Sequence, residues 1–177
     1  TTRLRKTDLK QIFFEFDQTG HEKARTVESA TLKTALKALV DCIRGAKFLA
    51  DNGLTMTDLN TVNIGKNLGI NLDTNQGVLF DLDRIKNTDS TIAALMGPML
   101  GDGANLKLIA PEYRDLIYLP VDFYATAQSM IWEFGNTIFR LAKNQIQKYP
   151  LNSTDAFLRS LWEELKTFSQ KMMAEEP

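Results

Sequence analysis

The chain has 177 residues, 44% of them apolar and 24% charged, the proportions of an ordinary globular domain. Lys and Arg number 21 against 22 Asp and Glu, and a net charge of −1 argues against a strongly basic nucleic-acid binder. One cysteine, Cys42, and one histidine, His21, exclude an internal disulfide framework, a multi-cysteine zinc site and a His-rich metal centre.

Residues 1–30 read as a mixed lead-in. Ile12, Phe13, Phe14 and Phe16 form an apolar run open to helix or strand, and Asp17-Gln18-Thr19-Gly20 reads as a turn. Lys6 and Lys10 make the start modestly basic and are expected to be solvated. Leu32, Leu36, Leu39, Ile43, Ala46 and Ala50 then recur at three- and four-residue spacings, which predicts an amphipathic helix. Ser29 or Thr31 can cap its start, and Asn52-Gly53 stops it.

The stretch from Leu54 to Ile64 reads as a short loop carrying Asp58 and Asn63. Residues 71–77 are dense in turn formers, which predicts a hairpin with strands near 62–70 and 77–80. Residues 86–107, rich in Gly, Asn, Asp and Ser, read mainly as loop, with one short helical turn at 91–96. From Asp122 to Leu141 apolar residues cover much of a helical circumference, which predicts a buried central helix. Leu158, Leu161, Leu165, Phe168 and Met172 make a one-sided stripe on a last helix, capped by Thr154-Asp155 after the break at Pro150. Trp162 fits either the core or a groove for a partner. The fold class expected is mainly α with one small β-hairpin.

Three polar residues gather around that hairpin: Asp58 before it, Asn63 at its mouth and Asp81 at its exit. The ends of an antiparallel hairpin lie side by side, so Asn63 and Asp81 are expected to be neighbours. An amide oxygen beside a carboxylate is a hard-oxygen pair suited to Mg²⁺. Asp58 could face the same spot and accept a proton from a hydroxyl. The blander alternative is that Asp58 and Asn63 only cap a loop.

The order of these pieces resembles the C-terminal lobe of protein kinases, in which a helix leads into H-R-D-x-x-x-x-N, a hairpin, D-F-G, A-P-E and a helix opening with Asp. Here Asp58 and Asn63 have the family's spacing, Leu79-Phe80-Asp81-Leu82-Asp83 stands at the D-F-G position, and Ala110-Pro111-Glu112 reads A-P-E. Asp122 opens the next helix. The resemblance covers roughly residues 30–170 and implies a kinase-like domain over 31–177. It implies Asp58 as catalytic base, Asn63 and Asp81 as Mg²⁺ ligands, and an activation segment including Leu82, Asp83, Ala110 and Pro111. Structural support would come from Glu112, paired with Arg159, and from Asp122. ATP and Mg²⁺ would be the cofactors and a protein hydroxyl of Ser/Thr type the acceptor.

The departures are specific. Met56 and Thr57 stand where the family has His and Arg, and Leu82 and Asp83 stand where it has Phe and Gly. The first 30 residues hold no Gly-rich loop and no V-A-I-K-like strand, which leaves three alternatives for the ATP-clamping N-terminal lobe: it lies upstream in a longer parent, comes from another chain, or does not exist. By itself the chain is expected to bind Mg-ATP weakly or not at all. Two alternatives stand beside an active kinase: a pseudokinase scaffold for protein partners, and a helical interaction domain unrelated to kinases. His21 is expected at the surface, Cys42 as buried filler and Asp83-Arg84 as a solvated pair. No apolar run approaches the about 20 residues of a membrane span and no signal peptide is visible. The single thiol points to the cytoplasm, with the nucleus as the alternative. A start at Thr1 suggests a processed fragment.

Overall fold

A computed structural model describes residues 6–19, 22–56, 67–80, 82, 85–87, 127–149 and 156–174. In chain order they form β1 (Lys6–Asp8), α1 (Leu9–Phe13), β2 (Phe14–Phe16), β3 (Glu22–Ala24), α2 (Ser29–Asp51) and β4 (Leu54–Met56). Then come β5 (Leu68–Asn71), β6 (Gln76–Leu79), β7 (Ile85–Asn87), α3 (Ala127–Ile146) and α4 (Ala156–Met172). The fold is thus mixed α/β: mostly helix, with small antiparallel sheets rather than one hairpin. Among the described residues these are a three-stranded sheet of order β1–β5–β6 and the pairs β2–β3 and β4–β7.

The apolar run at 12–16 resolves into both of its readings. Asp8 caps α1 through Oδ1, which accepts the Gln11 N–H at 2.8 Å, and the chain then extends from Phe14 into β2. The expected turn follows, with Asp17 Oδ1 accepting both the N–H and the hydroxyl of Thr19. Helix α2 forms where the periodicity placed it. Its capping residue is Glu28, without a side-chain cap bond, so Ser29 is the first helical residue rather than the cap. Asn52 and Gly53 end it, Gly53 in the left-handed region at φ 68°.

Two expectations change in the middle of the chain. The stretch from Leu54 was read as loop, yet Leu54–Met56 is a strand, because a distant segment, Ile85–Asn87, supplies its antiparallel partner. A three-residue strand paired 30 residues downstream leaves no local pattern to read. Where it is described, the hairpin pairs Leu68–Asn71 with Gln76–Leu79, with Asn75 at φ 55° in the turn, and residues 62–66 of the expected first strand lie outside the described residues. It also gains a third strand from the lead-in, Lys6–Asp8. The helical turn expected at 91–96, the Thr154-Asp155 cap and the Pro150 break lie outside the described residues.

One core joins the lead-in to the helices. Leu9, Phe13, Leu32, Leu39, Met130, Phe134, Leu141 and Trp162 are buried together. Phe13 meets Trp162 edge-on, with ring centroids 5.5 Å apart and planes at 81°, so Trp162 belongs to the core. Helix α3 is buried around most of its girth, as its sequence predicts. On α4 the buried line runs through Leu158, Trp162 and Ser169, while Phe168 of the expected stripe is 52% exposed. Trp162 and Ser169, one turn apart from the chosen Leu positions, draw the face round. Among the described residues no helix is long and apolar enough to cross a membrane.

Candidate functional site

The described residues frame the sequence-predicted site without containing most of it. Asp58, Asn63, Asp81, Asp83, Ala110, Pro111, Glu112 and Asp122 lie outside them. The frame consists of two ladders. β4 pairs with β7, with Met56 opposite Ile85, and β5 pairs with β6, with Leu68 opposite Leu79. The Phe80 N–H donates to the Asn67 carbonyl at 2.9 Å and carries the second ladder one step further. Chain connectivity does the rest. The connection from Met56 to Leu68 and the connection from Leu79 to Ile85 begin and end on the same two pairs of residues. Because β5 starts at Leu68, the residue at the mouth of the hairpin is Asn67, which is buried. Of the remaining predicted residues, Leu82 is 51% exposed.

The hairpin is seated on α2 by small residues and one carboxylate. A Cβ on Gly77 would strike the Ala38 carbonyl oxygen and stand 2.7 Å from its carbon, so only glycine lets β6 lie this close to the helix. Asp41 on α2 accepts the Gly77 N–H at 3.1 Å and the Lys37 ammonium at 3.1 Å. The Gly77 N–H and then Lys37 hold the Asp41 carboxyl below the ordinary carboxylate range. Beside it the Cys42 thiol faces the Val78 carbonyl at 3.5 Å, and burial pushes it up to about 12. At neutral pH Cys42 is therefore a thiol, a poor nucleophile, and fills space as expected.

Arg159 acts at another place. Its Nη1 donates to the carbonyls of Ile146 (3.1 Å) and Tyr149 (2.6 Å), and its Nη2 faces Glu163 at 3.5 Å. It therefore closes the C-terminal end of α3, whose last carbonyls lack helical partners. The same helix end holds the lead-in. Gln145 Nε2 donates to the carbonyls of Phe13 (3.3 Å) and Arg25 (3.1 Å). The Tyr149 hydroxyl accepts the Val27 N–H at 3.3 Å and donates to the Val27 carbonyl at 3.0 Å.

A cleft of about 440 Å³ opens between α2, α3 and α4. Ile43, Ala46, Met130, Phe134 and Met172 line it, with Lys47 and Asp51 paired at 2.7 Å on its α2 side. It offers burial to an apolar group. Among the described residues no group of three His, Cys, Asp or Glu side chains is placed to hold a metal ion.

Sequence reasoning missed Asp41, Asn67 and Gly69. A glycine inside each strand of the hairpin was the available signal, since it marks close approach of another chain segment. Lys6 is exposed, as its sequence context predicts, and its ammonium lies 3.9 Å from the centre of the Phe80 ring. No protein-family model, no curated protein and no solved structure matches this chain.

Proposed function

We propose that this chain is the C-terminal lobe of a divergent protein-kinase-like phosphotransferase, transferring the ATP γ-phosphoryl group to a protein hydroxyl. The observation that supports this most is the shared anchoring of the two connections. Asp58 stands two residues beyond Met56, and Asp81 two residues beyond Leu79. Each connection runs from the end of one ladder to the end of the other, so the segment that carries the base and the segment that carries the metal-binding carboxylate are tied to the same two pairs of residues. The long helix α2 and the hairpin after it come in the order of the resemblance, with the strand β4 added between them.

In this reading Asp58 orients the acceptor hydroxyl and takes its proton. Asn63 and Asp81 offer one amide and one carboxylate oxygen, a donor set whose chemistry fits Mg²⁺. The ion, when bound, would supply charge neutralisation for the phosphates. The two connections begin and end on the two ladders. Leu82, Asp83, Ala110, Pro111 and Glu112 would belong to the activation segment, and Asp122 would brace the catalytic loop. An N-terminal lobe from the parent protein or another chain would complete the nucleotide cleft. Its protein substrate would meet it in the cytoplasm.

Thermal unfolding in millimolar ATP, with and without Mg²⁺, tests this on the wild type and Asp81→Ala. Ligand that binds only the folded state raises the midpoint. A small Mg²⁺-dependent rise, abolished in Asp81→Ala, is expected. A Mg²⁺-dependent rise that Asp81→Ala leaves unchanged would count against the proposal, and no rise in either protein would favour a non-catalytic lobe or the pseudokinase scaffold. A second reading, a pseudokinase scaffold, is favoured by Met56, which is buried in β4 where the family has its His, and by Thr57 in place of Arg. Its signature is binding of a protein partner that Asp58→Ala and Asp81→Ala leave unchanged.

A further inference from the structure

We propose that Asn52-Gly53, at the C-terminal end of α2, is a modification site at which the Asn52 amide converts spontaneously to aspartate or isoaspartate, and that the last turn of α2 gates the conversion.

Asn-Gly is the dipeptide most prone to this chemistry, because glycine puts no Cβ beside the attacking nitrogen. It occurs once in the chain, and both residues are exposed. In the reaction the Gly53 backbone nitrogen gives up its proton to water or hydroxide and attacks Asn52 Cγ. The N–Cγ bond forms, the Cγ–Nδ2 bond breaks, and the side-chain nitrogen leaves as ammonia. Water then opens the cyclic imide. Opening at Cγ gives aspartate. Opening at the Asn52 backbone carbonyl leaves the chain running through the side chain, as isoaspartate. The balance is one water consumed and one ammonia released, with no oxidation.

The fold holds each participant out of reaction. Asn52 Nδ2 donates to the Phe48 carbonyl at 2.8 Å, which fixes the side chain against α2. The Gly53 N–H donates to the Ala50 carbonyl at 3.0 Å, and a hydrogen-bonded N–H is harder to deprotonate. Asn52 has ψ 17°, which turns the Gly53 nitrogen toward the Asn52 nitrogen and away from Cβ. Ring closure needs that nitrogen and Cβ on the same side. All three constraints are released together when the last turn opens. Helix ends open at low cost, so the conversion proceeds from the frayed end and does not wait for global unfolding. Lys47 opposes the opening through its pair with Asp51 at 2.7 Å, a contact that spans this turn.

The conversion reinforces itself. A carboxylate at position 52 replaces the donor to the Phe48 carbonyl and puts negative charge at the negative end of the helix, beside Asp51. Isoaspartate also lengthens the backbone by one methylene, just before β4. That strand pairs Leu54–Met56 with Ile85–Asn87, and Thr55 and Met56 are buried, so the added length falls on the ladder.

Peptide mapping by mass spectrometry, during incubation at mildly alkaline pH, tests this on the folded chain and on the same chain in guanidinium chloride. Conversion at Asn52 is expected in both, about ten- to a hundred-fold slower in the folded chain. Lys47→Ala should speed it about two-fold in the folded chain and leave it unchanged in denaturant. Asn52→Asp should speed amide hydrogen exchange through Leu54–Met56 and Ile85–Asn87. Lys47 and Asn52 are exposed, so both variants should fold. Equal rates in the folded and unfolded chain, or a folded-state rate indifferent to Lys47→Ala, would overturn the gate. A folded chain that never converts at Asn52 would overturn the site. Unchanged exchange in Asn52→Asp would overturn the link to β4.

Discussion

Around α3 and α4, large side chains fill a core and reach across long stretches of chain, whereas around α2 and the β5–β6 hairpin small residues let backbones touch. Trp162, Phe13, Tyr149 and Gln145 connect segments more than 100 residues apart. Gly77 against Ala38 and Gly69 against Phe80 do the opposite and leave no room for a side chain. The first arrangement stabilises by buried area and tolerates small displacements. The second leaves no room for displacement at the contacts themselves, which is what the proposed pair of catalytic connections would require. The hairpin at which those connections meet belongs to the second region.

The contrast can be broken most strongly at Trp162. Trp162→Ala should cost about 3–5 kcal/mol in urea unfolding, because it empties the centre of the core. Trp162→Phe should cost far less, since Nε1 makes no hydrogen bond there. Next comes Gly77→Ala, expected to cost about 1–3 kcal/mol by overpacking against Ala38. It should also loosen amide exchange in the hairpin, where Trp162→Phe leaves exchange unchanged. Tyr149→Phe should cost about 1–2 kcal/mol by stranding the N–H and carbonyl of buried Val27, measured in the same urea titration.

The smallest effect sharpens the hairpin side. The Asp41 carboxyl lies below its ordinary range in the folded chain, so its ionised form favours folding above the unfolded value of about 3.9. That contribution is lost as pH falls through the lower, folded-state value. Unfolding midpoints measured on descending pH should therefore drop more steeply for wild type than for Asp41→Asn in that acid window. Parallel curves would remove Asp41 from the seating of the hairpin.

How much of this could be read from the sequence follows the same division. The long helices and the turn at 71–77 were legible, since periodicity and turn chemistry are local signals. The strands β1, β4 and β7 were not. Each has three residues, and each exists because a distant segment completes its hydrogen bonds. Cys42 was legible as buried filler, yet Asp41 beside it was not, because its partner Gly77 is 36 residues away. Asp58, Asn63 and Asp81 were singled out by residue type and spacing. The pairs at which their connections begin and end, Met56–Ile85 and Leu68–Leu79, depend on pairings between remote segments that no local pattern encodes.

The central claim is that the connections after Met56 and after Leu79 converge on one divalent-cation site. Paramagnetic broadening of amide signals by Mn²⁺, used in place of Mg²⁺, tests this directly. A phosphotransferase lobe should show selective loss of signal at Met56 and Ile85 and at Asn67 and Phe80, at both ends of the frame together, and Asn63→Ala or Asp81→Ala should abolish it. Broadening that is absent, that is confined to one connection, or that survives both substitutions would contradict a shared metal site.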